Sequence, residues 1–124
     1  TYSFYFWEGP FSSSRVVQES YDLNVPLSVE DGAAGRRELF GTDSPSVIVE
    51  TVKPAEDGSG DIVVRLYESA RSSVDCEFRT SLPVKTAAET DMLEREKRKL
   101  KLSSGAVNLS FRPFEIKTLR LKVG

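Results

Sequence analysis

The sequence contains no histidine and a single cysteine, and both shortages exclude whole classes of function. Without histidine there can be no Ser-His-Asp triad, no Cys-His nucleophile pair and no zinc site with imidazole ligands. The lone thiol, Cys76, excludes an internal disulfide framework and a cysteine-rich metal site. Chemistry that rests on paired Asp or Glu carboxylates needs no histidine, so it stays open.

Long apolar runs and an excess of charge of either sign are also missing. Runs such as Ile62-Val63-Val64 are soon interrupted by charge, whereas a membrane-spanning helix needs roughly 18–20 apolar residues. The 17 Lys and Arg residues nearly balance the 19 Asp and Glu residues, which argues against a general nucleic-acid binder. We therefore expect no membrane and no nucleic acid among the partners. The chain opens at Thr1 without a signal-peptide pattern, and together with the single cysteine this favours a cytoplasmic location.

Aromatic side chains are crowded near the N-terminal end. The opening stretch contains Tyr2, Phe4, Tyr5, Phe6, Trp7 and Phe11. The pattern predicts a strand over residues 1–7 that Gly9-Pro10 ends. So many rings near a terminus indicate a missing neighbour, as if the chain were cut from a longer protein. A platform for stacking on sugars could be formed by Tyr2, Tyr5, Trp7, Phe11 and Tyr67, but we favour packing in a core or a domain interface.

A short helix and two loops follow the aromatic segment. The serines before Arg15 predict a helix from that residue to about Asp22. Glycine and proline predict loops at 31–37 and 41–45. The prediction therefore divides the chain into two parts: residues 1–43, an extension with the helix and a linker, and residues 44–124, a compact unit with enough apolar residues for one core.

From residue 44 onward, short segments of β-branched and alternating residues predict strands. The predicted strands cover residues 46–53, 61–68, 73–82, 85–93, 99–102, 106–111 and 115–123. The first two form a hairpin across the turn that contains Asp57-Gly58. A second hairpin is predicted around Ser103-Ser104-Gly105. Between the fourth and fifth segments, residues 94–98 are predicted to form a charged turn.

The alternation of apolar and polar residues along the predicted strands indicates which side chains face the core, and it has one irregularity. In the segment 73–82, Cys76 and Phe78 point inward, so a buried and unreactive thiol is expected. In the last segment the apolar residues change face after Ile116. A bulge near Lys117-Thr118 would restore a single apolar face that contains Phe114, Ile116, Leu119, Leu121 and Val123.

The fold class that follows is all-β. Residues 87–89 also permit a helix, but the remaining segments are short strands at the spacing of a sandwich. We predict an immunoglobulin-like antiparallel β-sandwich with a short N-terminal extension.

Carboxylates are concentrated around the turn between the first two predicted strands. Glu50 or Glu56 could belong to an acid/base pair, and Arg65 and Glu68 on the next strand could face them. A catalytic pair needs a pocket and two carboxyl groups held roughly 5–10 Å apart, and the sequence indicates neither. We therefore favour an ion-pair network that stabilises the hairpin or docks a neighbouring domain. No catalytic and no metal-binding residue is assigned.

Several segments resemble one known family. Residues 46–57 and 63–68 resemble the C-terminal domain of the class II α-mannosidases, glycoside hydrolase family 38. Residues 91–94 and 111–119, with their Arg-Pro-Phe-Glu-Ile turn, resemble the closing pattern of the family. Residues 23–27 resemble the segment just before this domain. The resemblance covers most of the chain, in the right order.

The resemblance implies a role within a larger enzyme. Family members are retaining, exo-acting α-mannosidases, and their zinc ligands and Asp nucleophile lie in an N-terminal α/β domain. This chain would then be a non-catalytic domain, inactive alone and without a cofactor of its own, while zinc is expected in the missing catalytic domain. Its partners would be the remaining domains of the same α-mannosidase, whose substrate is an α-mannoside glycan.

The resemblance also implies which residues contact those domains. Residues 1–43 would be the tail of the preceding β-domain with the linker, and residues 44–124 the C-terminal sandwich. The expected domain-interface residues are Lys53, Glu56, Arg65, Tyr67, Glu68, Phe4, Phe6 and Trp7. We expect the last three to be exposed in the isolated chain, or buried by a crystal or oligomer contact. Two alternatives stay open: an independent carbohydrate-binding sandwich, and a protein-interaction module that uses a sheet edge or the aromatic segment.

Overall fold

The computed structural model describes residues 2–29, 31–32, 35 and 38–124, and the chain divides into two compact units, Thr1–Arg37 and Glu38–Gly124. The first unit contains a short 3-10 turn, Phe11–Ser13, and one α-helix, α1, Val16–Asn24. The predicted helix is therefore confirmed. It ends at Asn24, because Pro26 disfavours helical backbone at Val25, which is extended.

The strand predicted at the N-terminal end is wrong over its described part. Residues 2–7 have no regular secondary structure, and Thr1 lies outside the described residues. A strand must pair its backbone N–H and C=O groups with a neighbour, and the described residues provide none for this segment. The predicted loop at 31–37 falls largely outside the residues that the structure describes.

The second unit is built from strands. Their bounds are β1 (Phe40–Thr42), β2 (Val47–Pro54), β3 (Ile62–Glu68), β4 (Val74–Thr80), β5 (Val84–Thr90), β6 (Glu96–Leu100), β7 (Ala106–Phe111) and β8 (Ile116–Val123). They form a three-stranded sheet in the order β1-β4-β7 and a five-stranded sheet in the order β2-β3-β8-β5-β6. Every pairing is antiparallel. The predicted all-β antiparallel sandwich is confirmed, and residues 87–89 lie in a strand.

The core contains apolar side chains from both sheets. Its centre includes Leu66, Phe78 and Leu119, none of which has any exposed surface, and the ring of Phe78 stacks on Phe40 with 6.2 Å between ring centres. The inward position of Cys76 is confirmed, since only 4% of it is exposed. Burial, with a smaller effect of nearby Asp carboxylates, raises the pKa of the Cys76 thiol to about 11.

Strand β1 was not predicted, because two of its three residues, Gly41 and Thr42, fall within what the sequence indicates is a turn. Phe40 pairs with Thr80, and Thr42 pairs with Phe78, so β1 is an edge strand of the three-stranded sheet. The structural division after Arg37 consequently lies several residues before the predicted boundary at 43 and 44.

The second predicted hairpin is wrong. Residues 96–98 belong to β6 and not to a charged turn, and β6 pairs with β5. β7 pairs with β4 in the other sheet. Ser103, which follows β6, forms an isolated antiparallel bridge with Ala106, the first residue of β7. The charges of β6 are tolerated because this strand is at a sheet edge, where its side chains reach solvent.

The predicted bulge in the last strand is also wrong. β8 pairs with β3 in continuous register from Ile116 to Leu121. The inward position before Leu119 is instead taken by Lys117, which is 7% exposed. Its Nζ atom lies 3.5 Å from a Glu89 carboxylate oxygen and 3.4 Å from one of Glu115, and 5.5 Å from the centre of the Phe111 ring. A buried ammonium group needs such partners, and with them the apolar pattern can change face without a bulge.

We predict that Gly105→Ala destabilises the sandwich by about 1–3 kcal/mol, because the backbone here requires a positive φ and leaves no room. Gly105 has a φ of +79°, and an added Cβ would lie 2.5 Å from the Thr80 carbonyl oxygen. Gly58 is the matched control, since its φ is +69° but nothing lies within 4 Å of its would-be Cβ. Chemical unfolding of both variants measures the difference, and equal losses would show that the Thr80 contact costs nothing.

Candidate domain interface on the five-stranded sheet

The loop between β5 and β6 folds over the outward face of the five-stranded sheet. We call this segment, Asp91–Arg95, the strap. Its shape is held by one carboxylate, because Oδ1 of Asp91 accepts hydrogen bonds from the backbone N–H groups of Leu93 and Arg95, each at 2.9 Å. The Asp91 N–H donates to the Arg95 carbonyl at 2.9 Å, which closes the loop. Glu94 has a φ of +66°, and this turns its side chain back toward the sheet.

The strap is fastened to three strands of the sheet. The Arg65 Nη2 group on β3 donates to the Met92 carbonyl oxygen at 3.2 Å. The Thr118 hydroxyl on β8 lies 3.7 Å from the Met92 sulfur. Lys53 on β2 forms a 2.6 Å ion pair with Glu94, whose other oxygen accepts the Glu56 N–H at 2.9 Å. These contacts hold the strap in one place over the sheet.

Lys53 lies between two carboxylates at this surface and forms an ion pair with each. Its ammonium group lies 2.6 Å from Glu56 and 2.6 Å from Glu94. Hydrogen bonds to Glu56 and then to Glu94 raise the pKa of Lys53. The hydrogen bond from Lys53, followed by the Glu56 N–H, lowers the pKa of Glu94. Lys53 and Glu94 are therefore both charged over the neutral range.

A second ion-pair group fastens the β2–β3 turn onto β8. Arg120 donates from Nε to Asp61 at 2.7 Å and from Nη2 to Asp57 at 2.6 Å. The Ser59 hydrogen bond, followed by that of Arg120, lowers the pKa of Asp57 to about 2. The favoured interpretation of the carboxylates as an ion-pair network agrees with this geometry. Glu50, the other acid/base candidate, accepts a hydrogen bond from its neighbour Thr51.

An apolar groove lies beside the strap. It has a volume of about 180 Å³, and its lining includes Glu50, Arg65, Tyr67, Met92 and Ile116. Two of the apolar members are half exposed, Met92 at 53% and Ile116 at 56%. The Nε atom of Arg65 is buried and has no hydrogen-bond partner among the described residues.

The structure places Glu68 apart from the other predicted interface residues. Glu68 is wholly buried at the end of β3. One carboxylate oxygen accepts hydrogen bonds from the Ala70 N–H at 2.8 Å and the Ser72 hydroxyl at 2.9 Å, and the other accepts the Phe114 N–H at 3.0 Å. Glu68 thus joins two loops inside the sandwich and lies off the outward face that carries Lys53 and Arg65.

The structure brings Lys53, Glu56, Arg65 and Tyr67 to one face, as the hairpin pairing allowed. It adds two residues that sequence reasoning missed, Glu94 and Met92. Glu94 is far from Lys53 in sequence and contacts it only because the strap crosses the sheet, so no local spacing could have indicated it.

The aromatic members of the predicted interface lie in the first unit. Phe4 is 89% exposed, Phe6 88% and Trp7 45%, which confirms their predicted exposure. Trp7 stacks on Tyr5 with 5.9 Å between ring centres. Their role in a domain interface stays a prediction.

Among the described residues, no group of three or more His, Cys, Asp or Glu side chains could hold a metal ion. Within the same ranges, no helix has the length and apolar character needed to cross a bilayer.

The two antiparallel sheets and the core between them define a β-sandwich domain. Comparison with known families gives the particular one. Residues 46–119 match the family described as "Glycosyl hydrolases family 38 C-terminal beta sandwich domain". The chain belongs to this family.

The chain is also similar to curated α-mannosidases over nearly its whole length. It is 37% identical to "Alpha-mannosidase 2C1" of Homo sapiens and 35% identical to the protein of that name from Mus musculus, with 98% of this chain covered in both. It is 33% identical to "Alpha-mannosidase G" of Dictyostelium discoideum over 97% of this chain. The chain spans about 12% of the length of each relative.

Proposed function

We propose that these residues are a non-catalytic C-terminal domain of a zinc-dependent, retaining α-mannosidase, and that the domain stabilises the rest of the enzyme. The observation that carries the proposal is the match of nearly the whole chain to α-mannosidases of which it spans only 12%. The ion-paired outer face supports it as well. Lys53 forms ion pairs with Glu56 and Glu94. Arg120 forms ion pairs with Asp57 and Asp61. Such mutual pairing is expected of groups that stabilise structure.

Zinc does not fit the residues of this chain. The sequence has no histidine, its one thiol is buried in the core, and the described part holds no cluster of metal-binding side chains. The proposal therefore assigns the zinc and the nucleophile to the part of the enzyme outside these 124 residues.

The proposed partners are the other domains of the same polypeptide. Tyr2, Phe4 and Phe6 are almost fully exposed, as expected of apolar side chains that a neighbouring domain would cover. The substrate of the complete enzyme would be an α-mannoside glycan. The single buried cysteine supports a cytoplasmic location for it.

Hydrolysis of an aryl α-mannoside by the full-length protein tests this function. The proposal expects activity that a chelator abolishes and added Zn²⁺ restores, with an α-configured first product detected by NMR. It expects no hydrolysis by the 124-residue chain alone. A full-length protein that leaves α-mannosides intact, or a 124-residue chain that binds mannose saturably, would contradict the proposal.

A further inference from the structure

The groove beside the strap is a preformed apolar site that the described residues leave open. Tyr67 and Ile116 are neighbours across β3 and β8, and Met92 forms the opposite wall. Leu93, the next residue in the strap, is 70% exposed. Half-exposed apolar side chains that converge on one concavity are typical of an interaction site.

The walls of this groove are fixed before any partner arrives. The Arg65 guanidinium holds the Met92 carbonyl, and the ion pair between Lys53 and Glu94 holds the other end of the strap. A preorganised site binds without the cost of ordering a loop.

The groove also offers a polar feature. The Nε group of Arg65 is a buried donor that nothing in the described chain satisfies, whereas buried donors in folded proteins nearly always have a partner. An acceptor oxygen brought in with an apolar side chain would supply one after a small adjustment of the guanidinium.

The size of the groove favours a side chain over a free sugar. Small-molecule sites commonly enclose about 300–1,000 Å³. The groove encloses about 180 Å³, which suits one apolar side chain. An interface between domains of one chain usually buries about 600–1,500 Å², so the groove would be the centre of a larger contact.

We propose that this groove receives an apolar side chain, with an adjacent backbone or side-chain oxygen, from the part of the same polypeptide that lies outside these 124 residues. The inference rests on the proposed function, and the length of chain outside the structure argues for it. The relatives continue for far more residues than this domain supplies, since it spans only 12% of them. The groove is thus the docking site of the domain within the enzyme.

Site-specific photo-crosslinking in the full-length protein tests the site. A photoreactive amino acid replaces Met92 or Ile116, and in the control it replaces Asn108, an exposed residue on the outward face of the three-stranded sheet. After irradiation, peptides joined within one chain are identified by mass spectrometry. We expect links from positions 92 and 116 to peptides outside the 124 residues, with at least a tenfold lower yield from position 108.

Three outcomes would overturn the docking proposal. These are links from the groove to a second copy of the chain, links to residues 1–37, and equal yields from the groove and the control. Activity is measured on the same samples. Active enzyme without groove links refutes the docking site alone, whereas groove links in a protein that does not hydrolyse α-mannosides refute the proposed function alone.

Discussion

Replacing Glu68 with Gln should destabilise the sandwich by about 3 kcal/mol, the cost of opposing buried donors with a donor. Both carboxylate oxygens of Glu68 accept hydrogen bonds, from Ala70 and Ser72 on one side and from Phe114 on the other. Whichever way the Gln amide turns, its NH₂ group faces an N–H donor. The Phe114 N–H also belongs to a backbone with a φ of +59°, an uncommon conformation for a bulky residue, which this hydrogen bond helps to hold.

The same carboxylate should make stability depend on pH. Burial alone would raise the pKa of Glu68, but the hydrogen bonds from Phe114, Ala70 and Ser72 outweigh it and hold the pKa below the usual 4.5. Because the folded-state pKa is the lower one, this stabilisation is present above pH 4.5 and is lost as the pH falls through the folded pKa.

Chemical unfolding of the 124-residue chain between neutral and acidic pH checks both expectations. The gap between wild type and Glu68→Gln should narrow as the pH falls below about 4.5. Glu96→Gln is the control, since Glu96 is exposed on the edge strand β6 and should change stability by less than about 0.5 kcal/mol. A gap that stays constant down to the lowest pH would contradict the assignment of the pH dependence to Glu68.

Replacing Phe78 with Ala should cost about 3–5 kcal/mol, the range for removing a large buried ring. Phe78 is wholly buried between the sheets and stacks on Phe40 of the short strand β1. Removal of the Phe78 ring should therefore also weaken the attachment of β1 to β4, because Thr42 of β1 pairs directly with Phe78 of β4.

Hydrogen exchange distinguishes the release of β1 from the loss of stability of the whole sandwich. In Phe78→Ala, protection of the backbone amides of β1 should fall more than that of β3, which lies in the other sheet. Phe114→Ala is the matched control, because that ring is 59% exposed and its removal should cost well under 1 kcal/mol. A loss for Phe78→Ala no larger than that of the control would contradict the placement of Phe78 at the centre of the core.

The parts of the fold that the sequence predicts are those governed by alternation. Strands β4 and β7 have a clear period of two, and one buried face follows from it, including the position of Cys76. Lys117 escaped this logic because a lysine is buried only where partners from other strands neutralise it. Those partners become visible only in three dimensions.

The candidate site was predictable to the extent that it follows one hairpin. Lys53 and Arg65 lie on the paired strands β2 and β3, which the hairpin prediction included. They share the outward face because the register shifts by one residue between Val49 and Thr51, and nothing in the local pattern indicates this shift. The strap could not be inferred, because its residues are distant in sequence and its fold depends on the Asp91 carboxylate. The second hairpin was misassigned for a related reason, since local spacing does not reveal that the chain changes sheet between β6 and β7.

The proposed role of this domain is to stabilise an α-mannosidase without touching its substrate. The melting temperature of the full-length Arg65→Ala variant, measured together with its KM for an α-mannoside, tests this role. Arg112→Ala is the control, because Arg112 is 84% exposed and pairs only at the surface. The account predicts a melting temperature several degrees lower for Arg65→Ala, with KM unchanged. An unchanged melting temperature with a raised KM would contradict it, since Arg65 would then serve substrate binding.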